Sequence, residues 1–206
     1  NRSSSGKPEN EPAGRRIWDL PTRLFHWLLV ACVAGAWITA EQEMARQIHL
    51  TLGYSVLLLI GFRLIWGFLG TRHARFSDFV VGPRRIAAHV KALFKRKPDH
   101  VVGHNPLGAV AILLMLGLLL TTALSGWANH LELGGHWLEE LHEGLATGLL
   151  GVIGIHLAGV LVASILERQN LVGAMITGRK RVPANIRAVP SRWAVAVVLA
   201  LMMGGL

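Results

Sequence analysis

Apolar residues gather in this chain into four long runs, at about 20–40, 50–69, 106–127 and 141–166. A helix needs about 20 apolar residues to cross the hydrocarbon core of a bilayer, so the pattern predicts four transmembrane helices. Asp19 is placed to cap the first, with Pro21 in its opening turn. His49 opens the second. The final run, WAVAVVLALMMGGL, has fourteen residues and falls short of a span. It reads as the beginning of a truncated fifth helix, reached through a basic connection. The expected fold is therefore an all-α integral membrane bundle of four helices, filling 15–181, with that fifth helix beginning within 182–206.

The polar stretches between the runs differ from one another. Residues 1–14, NRSSSGKPENEPAG, are rich in Ser, Pro, Gly and Glu and are expected to be a disordered tail. No cleavable signal peptide is read there, because the first apolar run has the length of a span. In the long connection from Thr71 to His104, Ile86, Val90, Leu93 and Phe94 recur at helical spacing. Arg84, Arg85, Lys91, Lys95, Arg96 and Lys97 fill the other positions. That pattern fits a basic amphipathic helix on an anionic leaflet, or a solvated linker helix.

Charge then orients the spans. The 71–104 connection carries eight Lys or Arg against two acids, and 167–192 carries six against one. The 41–46 turn has one basic residue against two acids, and 129–141 has none against three. Basic loops remain cytoplasmic, which puts the N-terminus on the cytoplasmic side. The net charge of +9 and the mean hydropathy of +0.44 are accounted for by this topology, and no nucleic-acid partner is expected. The one cysteine, Cys32, lies in an apolar run, and no C-x-x-C-H occurs, so disulfides and covalent c-type haem are excluded.

Histidine supplies the candidate chemistry. His142 and His156 lie fourteen residues apart in the fourth run, so they share nearly one helix face, about 21 Å apart along the axis. An imidazole inside a membrane is costly unless it ligates something or lines a polar path. By depth, His26 on the first span matches His156 towards the cytoplasmic side, and His49 on the second matches His142 towards the periplasmic side. Two neutral imidazoles on facing helices suit the two axial positions of a haem iron and leave no open coordination site. The four histidines are thus expected to hold two haem b groups. His73, His89, His100 and His104 are expected to face solvent or headgroups. His130 and His136 sit in the acidic loop as surface residues, within reach of haem propionates or a partner.

Gly53, Gly144, Gly148 and Gly159 lie beside the histidine faces, where they leave room for a flat ring or let helices pack closely. Arg63 lies within the second span. It either snorkels to the cytoplasmic edge or meets an anion, of which a haem propionate is one. Arg16, Arg23 and Arg72 are the other arginines placed for that role.

Five motifs, IWDLPTRLFHW (17–27), HLTLGY (49–54), FRLIWGFLGTRHARFSDFV (62–80), GHNPLGA (103–109) and NLVGAMITGRK (170–180), together resemble the prokaryotic cytochrome b561 family. This group includes the b-type cytochrome subunits of nickel–iron hydrogenases, and the resemblance covers about residues 16–181. It implies that four histidines on spans one, two and four bind two b haems, at positions that match His26, His49, His142 and His156. It also implies electron transfer between the quinone pool and a partner at the outer face. The compact loops resemble those of stand-alone members that work with c-type cytochromes more than those of hydrogenase anchors. A quinone site near Arg72 and His73 is a further expectation. The alternatives are a membrane anchor for a periplasmic hydrogenase or dehydrogenase, a superoxide:quinone oxidoreductase, and, in a different class, a haem-free transporter or scaffold.

Overall fold

A computed structural model of the protein describes residues 13–94, 103, 106–183 and 185–206. A short strand β1 (Ala13–Arg16) leads into helix α1 (Leu20–Thr39), and a 3₁₀ turn (Glu43–Ala45) turns the chain into α2 (Arg46–Leu69). Two shorter helices follow, α3 (Phe76–Phe79) and α4 (Pro83–Phe94). Then come α5 (Pro106–His130), α6 (Trp137–Leu166), α7 (Leu171–Thr177), strand β2 (Arg179–Val182) and α8 (Trp193–Gly204). Four of these helices, α1, α2, α5 and α6, are long and apolar enough to cross a membrane, and the chain is a multi-pass membrane protein.

The long helices pack in series, α1 on α2, α2 on α5 and α5 on α6, while α8 leans on α1. Their shared core is aliphatic: Cys32, Val56, Leu59, Ile60, Leu116, Leu119, Leu149 and Leu199 are buried together with Phe25. The outward faces carry exposed side chains such as Ile38, Leu113, Ile155 and Leu161. Large apolar side chains facing outward all along a bundle are what lipid tails accept and water does not.

One end of the bundle is basic and firmly tied. Asp19 accepts from the Thr22 backbone N–H at 2.8 Å, which caps α1. Its other oxygen accepts from Trp66 Nε1 at 3.1 Å and Thr71 Oγ1 at 2.6 Å, which fastens the end of α2 to the start of α1. Strands β1 and β2 pair antiparallel, Ala13 opposite Val182 and Arg16 opposite Arg179. Gly178 precedes β2 at φ 78°, a left-handed turn that favours glycine. Its carbonyl accepts from the backbone N–H groups of Ile17 and Trp18. Beneath the ribbon, Lys180 and Glu167 form a buried ion pair at 2.9 Å.

Several sequence expectations shift. Ala13 and Gly14, read with the tail, belong to β1, and residues 1–12 lie outside the described residues. The basic connection at 167–192 contains α7 and β2, and the helices on either side of the acidic loop reach further into it than hydropathy indicates. Helix α4 forms and packs beside α5, with Arg84, Arg85 and Lys91 exposed. His89, expected at solvent or headgroups, is instead buried, only 4% exposed, on a helix that packs beside α5. The side chains of Val90, Leu93 and Phe94, and residues Lys95, Arg96, Lys97, His100 and His104, lie outside the described residues.

Candidate functional site

His49, at the acidic end of α2, and His142, in the second turn of α6, face each other with ring centres 6.2 Å apart and planes at 80°. Each ring is held by its Nδ1. That of His49 lies 2.9 Å from the Ala36 carbonyl and that of His142 lies 2.8 Å from the Thr122 carbonyl. A carbonyl only accepts, so both Nδ1 atoms carry the proton and both Nε2 atoms keep a free lone pair. Ligating histidines elsewhere are oriented in this way, by a hydrogen bond from the nitrogen that does not bind the metal.

The helix ends supply those carbonyls. At the end of α1 the Ala40 N–H turns to Trp37 O, so the last turn tightens and Ala36 O becomes available to His49. On α5, Gly126 stands against His142. A Cβ there would lie 2.7 Å from the ring's Cε1 and 2.9 Å from Nδ1. Glycine at 126 is therefore a condition for the ring to sit where it does. Nothing in the apolar pattern of the third span marks this residue, and only its place beside Ser125 in a small-residue step hints at close approach.

The spacing of the rings tests whether they suit a metal between them. A metal–imidazole bond is about 2 Å long and the nitrogen stands about 1 Å from the ring centre, so two imidazoles gripping one metal from opposite sides have centres about 6 Å apart. The observed separation meets that requirement. A cavity of about 360 Å³ adjoins the pair, lined also by Gly126, Asn129, His130 and Glu139. Among the described residues no three His, Cys, Asp or Glu side chains gather to form a cage.

At the other level stand His26 on α1 and His156, fourteen residues after His142 on α6. His26 packs edge-on against Trp27, and its buried Nδ1 has no hydrogen-bond partner. In this His26 differs from His49 and His142, whose Nδ1 atoms each meet a helix carbonyl. Glycines recur along α6. A Cβ at Gly144, Gly148, Gly151 or Gly159 would meet nothing within 4 Å, and the same holds at Gly53 on α2. No neighbouring helix presses on them, so close packing does not explain them.

The arginines are distributed differently. Arg63 is 4% exposed, so it does not snorkel to water. Its guanidinium lies 4.8 Å from the Phe76 ring centre and 5.9 Å from that of Phe79, with one buried Nη1 lacking a hydrogen-bond partner. Arg23, one turn before His26, donates to the Ile176 carbonyl. Arg16 lies in β1 and Arg72 is exposed in the turn after α2. Beside Arg72, His73 sits half-buried against the edge of Trp18, ring centres 6.5 Å apart. At the acidic end His136 is exposed and pairs with Glu139 at 3.1 Å.

Comparison with known proteins gives the arrangement a family. Residues 17–178 match the family described as prokaryotic cytochrome b561. The chain is similar to the probable Ni/Fe-hydrogenase B-type cytochrome subunit of Rhizobium leguminosarum, 24% identical over 80% of this chain and 87% of that one. Proteins of the same description from Rhodobacter capsulatus, 23% identical over 80% of each chain, and Azotobacter chroococcum, 27% identical over 79% of this chain and 86% of that one, are also similar. No solved structure matches the chain. Because the match runs from just ahead of α1 to the turn that closes α7, the chain belongs to the prokaryotic cytochrome b561 family, membrane cytochromes of b type that carry haem b and transfer electrons.

Proposed function

We propose that the protein carries electrons across a bacterial inner membrane through two b haems, one held by His49 and His142 and one by His26 and His156. The observation that supports this most is the first pair: facing rings at ligating separation, each with Nδ1 committed to a helix carbonyl and Nε2 free. Haem iron with two imidazoles cycles between two oxidation states and has no site left for oxygen. The chain's own part is to fix the rings, exclude water with the aliphatic core, and keep the two levels about 21 Å apart along α6. Arg63 and Arg23 are proposed to meet the propionates at the basic end. Arg63 is suited by its buried Nη1 without a partner, and Arg23 by its place one turn from His26.

In this reading the basic end is cytoplasmic, following the distribution of Lys and Arg. Quinone or quinol is the small redox partner, near His73 and Arg72, and a periplasmic c-type cytochrome is the protein partner. The relatives' names favour one other reading, that of membrane subunit to a periplasmic nickel–iron hydrogenase. Co-purification of a large catalytic subunit would select it.

The test is a dithionite-reduced minus oxidised spectrum of the wild type beside His26→Ala and His142→Ala. Two b-type centres are expected, and each substitution should remove a different one. Loss of the same centre in both variants would overturn the pairing.

A further inference from the structure

Antiparallel pairing puts Arg16 directly opposite Arg179, and Gly14 opposite Arg181. Side chains of opposed residues lie on one face of a ribbon, so Arg16, Arg179 and Arg181 share the face away from the bundle. The other face carries Lys180 and Val182, both buried, and the Lys180–Glu167 pair. That pair uses the carboxylate nearest in sequence. Among the described residues no acid forms an ion pair with Arg16, Arg179 or Arg181.

Like charges set directly opposite in a ribbon weaken it, and this ribbon is only four residues a side. A ribbon so built gains from an anion on its outer face. The surface around the ribbon says which kind: Ile176 and Val172 of α7, which packs on β2, and Trp193 at the start of α8 are exposed apolar groups at the same end of the bundle. Guanidinium groups with exposed aliphatic and indole side chains, at the mouth of a transmembrane bundle, suit a phosphate that has acyl chains attached. We propose that the outer face of the β1–β2 ribbon is a binding site for the headgroup of an anionic phospholipid, with Arg16, Arg179 and Arg181 receiving the phosphate.

The experiment uses the purified haem-loaded full chain in a neutral detergent, with dioleoyl phosphatidylglycerol, dioleoyl phosphatidylcholine or inorganic phosphate added. Native mass spectrometry reads retained lipid, and thermal melting of the haem absorbance reads stability. The wild type should retain phosphatidylglycerol at least fivefold over phosphatidylcholine and melt higher with it. Arg179→Gln/Arg181→Gln should lose both effects, Arg179→Lys/Arg181→Lys should keep most of the retention, and without lipid the Gln variant should melt no lower than the wild type. Equal retention of phosphatidylglycerol by wild type and Gln variant would overturn the proposal, as would equal retention of the two lipids. Stabilisation by inorganic phosphate equal to that by phosphatidylglycerol would also overturn it, by making the site one for free anions. A Gln variant that melts lower without lipid would show a structural role for the arginines instead. Neither lipid readout depends on which histidines hold haem.

Discussion

Two residues at the basic end show how much a single side chain decides. Asp19 is 1% exposed and holds three donors. Removing its carboxylate leaves the Trp66 N–H and the Thr71 hydroxyl buried without an acceptor. Hydrogen bonds to a charged group are worth about 1.5–3 kcal/mol each, but losses at one carboxylate do not simply add. Asp19→Ala should therefore cost about 3 kcal/mol, read as a lower melting temperature with the spectrum of the remaining folded protein unchanged. His73 behaves differently. Burial pushes its pKa below the ordinary 6.5, Arg72 pushes the same way and Asp78 opposes. In the window below 6.5 the unfolded chain then binds more protons here than the folded one. Stability from the neutral ring is complete above that pH and is lost as pH falls through it. Melting temperature should drop between pH 7 and pH 5.5, and His73→Gln should flatten that slope; parallel slopes in the two proteins would contradict the assignment.

At the scale of elements, the helices were legible because a span must be continuously apolar, and that leaves a plain mark over some twenty residues. Their ends were not. The apolar runs stop at about 127 and resume at about 141, yet α5 continues to His130 and α6 has begun by Trp137, since Asn, His and Glu are tolerated in a terminal turn outside the hydrocarbon. The ribbon was hidden for another reason. RKRV is too short to show a strand period, and its partner lies at the opposite end of the chain. The histidine pairs could be proposed from depth alone, whereas what seats the rings, the Ala36 and Thr122 carbonyls and Gly126, depends on side-chain direction that periodicity does not carry. Gly126→Ala puts the last point to the test. Alanine favours a helix by about 1 kcal/mol over glycine, yet here its methyl would displace the His142 ring. The variant should fold and keep the centre assigned to His26 and His156 while losing at least half of the other, measured by haem content and difference spectra. Full retention of both centres would show that the ring has room to move.

For the molecule as a whole, the two ends differ in charge as well as in the depth of the histidine pair they hold. The cavity beside His49 and His142 opens between the α1–α2 turn and the α5–α6 loop, and Glu41, Glu43 and Glu139 line it against a single Arg46. Glu132, Glu140 and Glu143 stand exposed on the same end. A field of one sign around a cleft concentrates partners of the other sign and raises their association rate, and salt suppresses the effect because the Debye length is about 8 Å at physiological ionic strength. If the redox partner docks over the His49–His142 pair, a basic partner is favoured. Glu41→Gln/Glu43→Gln/Glu139→Gln should then slow reduction of a small basic c-type cytochrome by the quinol-reduced protein about tenfold at 10–20 mM salt. The gap should close as salt is raised to about 0.5 M, where screening removes steering from both proteins. Haem content and the unimolecular electron-transfer step at saturating partner should not change, because none of the three glutamates forms a hydrogen bond to His49 or His142. An equal loss of rate at every salt concentration would assign these residues to the shape of the cavity, and an unchanged rate at low salt would move the docking surface away from this end.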